Sequence, residues 1–213
     1  MPRALRIDVG DYVYHVINRA NARIPIFHTD EDYKLFEELL EEATEQFHMR
    51  VMAYAIMPNH WHLLLYPTHD GDIGVFMHWL TTTHATRYHT MHKTVGGGHV
   101  YQGRYKSFLV DFDNYFLAVL KYIERNPARA KLVRMPEEWR WGSAYRRISG
   151  SKEAKALLAT PIVPLPRQYQ KWIAQAENEE DIETIRHSVN KGTAYGSDMW
   201  KDELDVLLEK TKK

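Results

Sequence analysis

Two apolar, strand-like runs, Met49–Met57 and His60–Tyr66, meet at Pro58-Asn59. A proline cannot donate to a strand ladder, and an asparagine suits a turn. The pair therefore reads as two adjacent or hairpin-linked strands with little freedom in how they connect. The second run opens His60-Trp61-His62. Side chains alternate across a strand, so both imidazoles share one face and the indole takes the other. Two imidazoles on one face are half of a divalent-metal site, although surface or partly buried histidines produce the same pattern.

The rest of the chain supplies partners for that hairpin. Tyr12–Ile17 reads as a first strand followed by a polar, turn-like Asn18–Arg23. Thr29-Asp30-Glu31-Asp32 caps a helix running to about Gln46, with Tyr33, Phe36, Leu39, Leu40 and Ala43 at helical spacing. A second helix is expected over Ile73–His92, where His78, His84, His89 and His92 point in several directions and read as solvated or core-edge. Glycines 96–98 mark a loop, Val100–Val110 a fourth strand, and Asp111–Asn126 a third helix stopped by Pro127. The order strand, helix, strand, strand, helix, strand, helix predicts an α+β fold: a ferredoxin-like split βαβ antiparallel sheet with packed helices. Trp139 and Trp141 read equally as anchors against the sheet and as stacking groups for DNA. A linker at Ser149–Lys152 and prolines 161, 164 and 166 divide the chain into residues 1–150 and a C-terminal helical extension, 151–213. In that extension, helices are expected at Tyr169–Ala176, Asp181–Asn190 and Glu203–Thr211.

Composition narrows the chemistry. The 213 residues contain no cysteine, so any metal must take His, carboxylate or amide ligands. No run is long and apolar enough to span a bilayer, which makes a cytoplasmic location the expectation. Formal charge is zero, from 28 basic and 28 acidic residues, yet it is unevenly spread. Residues 30–46 hold eight acidic groups against Lys34, and residues 99–150 hold ten Lys or Arg against five Asp or Glu. On this basis one region faces a polyanion and another repels it.

Tyr122 lies four residues before Asn126, one helical turn apart on one face. Packing that helix on the histidine face gathers His60, His62 and Asn126 as an N, N, O ligand set beside a phenol, an arrangement suited to phosphoryl transfer with Mg²⁺ or Mn²⁺. Lys121, Arg125 and Arg129 are the cations able to ease ionisation of the phenol. Taken alone, Tyr122 reads first as a core-facing aromatic of an amphipathic helix. A zinc hydrolase lacks its His-Glu-x-x-His signature here, and a non-haem iron centre would need Asp11, Asp111 or Asp113 as a third ligand.

Four segments in this order resemble the REP-associated tyrosine transposases, a subgroup of the single-tyrosine (HUH-type) insertion-sequence enzymes. They are Tyr14-His15-Val16 with Asn18-Arg19, Met57–Leu63, Tyr101-Gln102-Gly103-Arg104-Tyr105, and Tyr122–Ala130. The Trp139–Arg147 segment fits as well. The resemblance implies metal histidines His60 and His62 and the nucleophile Tyr122. It also puts Asn126 where related enzymes carry a glutamine ligand. It further implies single-stranded DNA bearing a palindromic hairpin, with Asn18, Arg19, Arg104 and Arg129 as contact candidates, and a monomer or homodimer. The implied activity is a DNA endonuclease and strand transferase. The alternative is a host protein that binds such hairpins with weak or no catalysis.

Overall fold

The computed structural model describes residues 7–151 and 156–210. The expected linker end at Lys152 and helix end at Thr211 lie outside the described residues. Four strands, β1 (Val13–Arg19), β2 (Arg50–Met57), β3 (His60–Tyr66) and β4 (Lys106–Val110), form one sheet in the order β2-β3-β1-β4. All three pairings are antiparallel. Eight helices accompany the sheet among the described residues: α1 (Asp30–Phe47), α2 (Asp72–Met91), α3 (Asn114–Glu124), α4 (Asn126–Arg129), α5 (Ser143–Ser149), α6 (Tyr169–Ala174), α7 (Glu179–Lys191) and α8 (Asp198–Lys210). This is the split βαβ arrangement expected from the order of elements. No helix among the described residues is long and apolar enough to cross a membrane.

Alternation along the strands splits the core in two. Tyr14, Val16, Tyr54, Ile56, Trp61, Leu63 and Leu65 face α1 and α2. Val13, Ala53, Ala55, Leu64, Phe108 and Val110 face Phe116, Val119, Leu120, Tyr122 and Ile123 of α3. The β2–β3 register pairs Met57 with His60, so the turn holds only Pro58 and Asn59. Helix α1 starts as its sequence requires: the Asp32 carboxylate accepts the backbone N–H groups of His28 and Thr29 at 2.8 and 3.0 Å.

Three differences from expectation bear on the site, and the last helix also starts earlier, at Asp198 rather than Glu203. Asn18 and Arg19 belong to β1 rather than to a turn, because Asn18 pairs with Trp61 and Arg19 with His60. The expected strand over Val100–Val110 shortens to β4, leaving Tyr101 on an isolated bridge to Ala20 and Gln102–Arg104 in a loop. The expected third helix divides at Arg125 into α3 and α4. Pro127 has no N–H to donate back to the preceding turn, so the ladder is interrupted there.

The helical histidines are more integrated than a solvated reading implies. His84 is fully buried. Its Nδ1 lies 2.7 Å from the Tyr101 hydroxyl, which also accepts from Trp61 Nε1 at 3.1 Å. His92 Nε2 donates to Asp32 at 2.6 Å. Burial pushes the His84 pKa down to about 3, against roughly 6.5 in an unfolded chain. The unfolded state therefore takes up a proton that the native state refuses. This stability is complete above about pH 6.5 and is lost as pH falls toward the native value. Urea denaturation from pH 7 down to pH 4 is expected to show stability declining, and His84→Phe is expected to flatten the decline by up to ~1.4 kcal/mol per pH unit. Parallel curves for the two proteins would contradict this.

Candidate functional site

His60 and His62 stand on the α3 side of the sheet, their ring centroids 5.1 Å apart. A third imidazole joins them from β1. His15 meets His62 edge to edge in nearly one plane, with centroids 4.9 Å apart and 7° between planes, and its Nε2 lies 2.7 Å from His62 Nδ1. Helix α3 lays the Tyr122 ring edge-on to both, at 5.9 Å from His62 and 6.2 Å from His15. Tyr122 and Asn126 are both buried, at 6% and 9% exposure. Among the described residues, no protein group hydrogen-bonds the Tyr122 hydroxyl, the Asn126 amide, or Nε2 of His60 and His62.

The electrostatics suit ligands rather than cations. Burial pushes the His60 pKa down to about 4 and the His15 pKa to about 3. Burial also holds His62 well below the usual range, assisted by His15, His60, Arg129 and Arg19. Neutral imidazoles with open Nε2 atoms are the form a metal requires. No group of three or more His, Asp or Glu side chains able to hold a metal occurs among the described residues. Two neutral imidazoles with open Nε2 atoms are donors of the kind a divalent cation takes, and Asn126, four residues after Tyr122, adds a buried amide.

A guanidinium covers the phenol. Arg129 Cζ lies 4.2 Å over the Tyr122 ring, and Nη2 donates to the Tyr122 carbonyl at 3.1 Å. Arg129 is paired with Glu177, which also accepts from Arg125 Nε at 2.6 Å. Lys121 instead lies over the Trp172 ring at 5.1 Å. A cleft of about 230 Å³ between α3 and the C-terminal helices is lined by Tyr122, Lys121, Trp172, Glu177 and Asp181.

Of the four residues expected to contact DNA, three converge and one does not. Asn18, Arg19 and Arg104 line a cleft of about 380 Å³ with Arg23, Gln102, Lys106 and Asn190. Arg129 is the covering group on Tyr122 instead. Arg19, Arg23, Arg104 and Lys106 have no acidic partner among the described residues. The other arginines of the basic stretch are largely neutralised: Arg125 and Arg129 by Glu177, Arg140 by Asp30, Arg146 by Glu37 and Glu41, and Arg147 by Glu124. One of the four cations of this cleft, Arg19, is the strand neighbour of His60.

Trp139 and Trp141 prove to be anchors. Trp139 Nε1 donates to the Ile56 carbonyl at 2.9 Å, and Trp141 stacks on Tyr33 at 5.1 Å. Sequence reasoning gave no role to His15, Glu177 or Lys106. Only His15 carried a signal, as a histidine on a strand able to pair with the one bearing His60 and His62.

Residues 8–126 match the family of IS200-like transposases, more than half of the chain and a span that ends on Asn126. The chain belongs to that family. No curated protein matches it. Among solved structures, a REP-associated tyrosine transposase bound to a REP hairpin is similar in fold, with TM-score 0.59 and 14% identity over 78% of this chain and 96% of that one. A structure described as that of a transposase from Deinococcus radiodurans shares 23% identity over 59% of this chain and 95% of its own, with TM-score 0.40. For this IS200-like transposase, membership identifies a DNA-processing enzyme. The matched span contains the histidine pair, Tyr122, Arg19 and Arg104, while Arg129, Glu177 and Asn190 lie beyond it.

Proposed function

We propose that this chain is a metal-dependent endonuclease and strand transferase for single-stranded DNA. It acts at repetitive extragenic palindromic hairpins through a 5′-phosphotyrosine intermediate. The observation that carries this reading is the Tyr122 ring edge-on to His62 at 5.9 Å, with His60 5.1 Å further along the same face of the sheet. In this reading residues 1–150 are the catalytic unit and 151–213 an extension that braces α3 and borders both clefts.

Arg19, Arg23, Arg104 and Lys106 hold the DNA backbone, and Asn18 and Gln102 offer polar groups to unpaired bases. The Tyr122 oxygen attacks phosphorus in line, the bond to the 3′-oxygen breaks, and the phenol proton is lost as the 3′-oxygen gains one. The Arg129 guanidinium over the ring favours negative charge on the phenol. His60, His62 and Asn126 would hold Mg²⁺ or Mn²⁺, which when bound supplies Lewis-acid polarisation of a non-bridging phosphate oxygen. Attack by a 3′-hydroxyl on the phosphotyrosine reverses the step and joins strands without a nucleotide cofactor.

The burial of Tyr122 beneath Arg129 favours one second reading, a hairpin-binding protein that does not cut. The two readings separate on an end-labelled, single-stranded palindromic hairpin with its flanks, incubated with Mg²⁺, Mn²⁺ or chelator. A protein-linked 5′ product that disappears with chelator is expected. Tight hairpin binding with no cleavage under either metal would establish the binding protein instead.

A further inference from the structure

The open Nε2 atoms of His60 and His62 depend on what their other ring nitrogens touch. Asn59, in the turn before β3, donates through Nδ2 to the Arg23 carbonyl at 2.8 Å. A carbonyl only accepts, so the amide can present only its amino end there, and Oδ1 must face the other way. That oxygen lies 2.7 Å from His60 Nδ1. The proton between them therefore belongs to His60 Nδ1, and the lone pair sits on Nε2. The Asn59 carbonyl also accepts from Ala20 N at 2.9 Å, so the residue is held at backbone and side chain alike.

His62 obtains its partner from a neighbouring strand. Its Nδ1 lies 2.7 Å from His15 Nε2, and one of the two must donate. His62 can offer Nε2 to a cation only with its own proton on Nδ1, so in the cation-holding state His62 donates and His15 accepts. His15 has little room to swing away: it is fully buried, and Phe108 abuts its ring edge-on at 4.9 Å. The proton of His15 then sits on its buried Nδ1, which has no partner among the described residues. Metal binding has to offset that unpaired group.

We propose that Asn59 and His15 are positioning residues that accept the Nδ1 protons of His60 and His62 and so aim both Nε2 lone pairs at a divalent cation. This rests on the metal reading above. Partners of this kind commonly alter metal affinity by roughly 10- to 100-fold.

Long-range ¹H–¹⁵N correlation spectra of the full chain with ¹⁵N-labelled imidazoles read the tautomers directly. At neutral pH the metal-free protein is expected to show His60 protonated on Nδ1, and addition of Zn²⁺ as a diamagnetic probe to show the same for His62. Mn²⁺ binding followed by EPR is expected to weaken by about 10- to 100-fold in Asn59→Leu and in His15→Phe. His15→Gln, which keeps an acceptor, is expected to bind close to wild type. Melting temperatures separate loss of affinity from loss of fold.

His60 protonated on Nε2 in the metal-free protein would overturn the Asn59 assignment. Unchanged Mn²⁺ affinity in His15→Phe would overturn that of His15. If wild type binds no Mn²⁺ while His60 carries its proton on Nδ1, the metal reading fails and the tautomer assignment for His60 stands.

Discussion

Tyr122→Phe is expected to reduce cleavage of a hairpin substrate by on the order of 10⁴-fold or more while leaving hairpin affinity unchanged. The substitution removes only the hydroxyl. That group has no hydrogen-bond partner among the described residues, so its loss orphans no buried donor or acceptor. The ring keeps its edge-on contacts with His62 and His15 and its place beneath Arg129, so the stability change is expected to stay within about 1 kcal/mol. The decisive readout is the covalent adduct on a denaturing gel. Cleavage that persists in the variant would show that water or a different side chain attacks the phosphate.

The second large effect concerns what holds α3 in place. The Glu124 carboxylate is fully buried and accepts from the Ser143 hydroxyl at 2.6 Å, from Arg147 Nε at 3.0 Å and from the Tyr169 hydroxyl. One carboxylate thus ties α3 to α5 and to α6 of the C-terminal extension. Arg147 is only 12% exposed, so Glu124→Ala strands a buried guanidinium. Such a loss costs about 3–5 kcal/mol, even where the intact pair contributes little net stability. A fall of about 10 °C in Tm is expected, with a smaller fall for Glu124→Gln, which keeps an acceptor for the two hydroxyls. A change under about 1 kcal/mol would mean that solvent reaches the Arg147 head group and replaces the lost partner.

Local patterns in the sequence carried the parts of the fold that depend on short periods. The two-residue alternation of His60, Trp61 and His62 identified the face each would take, and the spacing of Tyr33, Phe36, Leu39, Leu40 and Ala43 identified the buried stripe of α1. The contact of His15 with His62 depends instead on the register of β1 against β3, where Ile17 is the partner of His62 and His15 is its diagonal neighbour. Strand sequences taken singly do not encode that register. Glu177 was illegible for a similar reason, since a glutamate in a polar stretch has no mark that it will close on Arg125 and Arg129. Part of each charge block is spent inside the fold, where Asp30, Glu37 and Glu41 of α1 pair with Arg140 and Arg146 of the basic stretch beyond residue 99. Arg104 and Lys106 of the cleft belong to that basic stretch, whereas Arg19 and Arg23 come from β1 and the turn after it, which do not stand out as basic when the chain is read linearly.

The brevity of the β2–β3 turn makes chain length itself a component of the site. With only Pro58 and Asn59 between paired Met57 and His60, one inserted or deleted residue that preserved strand pairing would invert β3. The indole of Trp61 would then occupy the position beside Tyr122, and the imidazoles would be driven into the apolar layer against α1 and α2. The loop around glycines 96–98 has no such geometric tie to the histidine face and can change length at little cost. Variation in loop length is therefore expected to accumulate there and to be excluded from the hairpin.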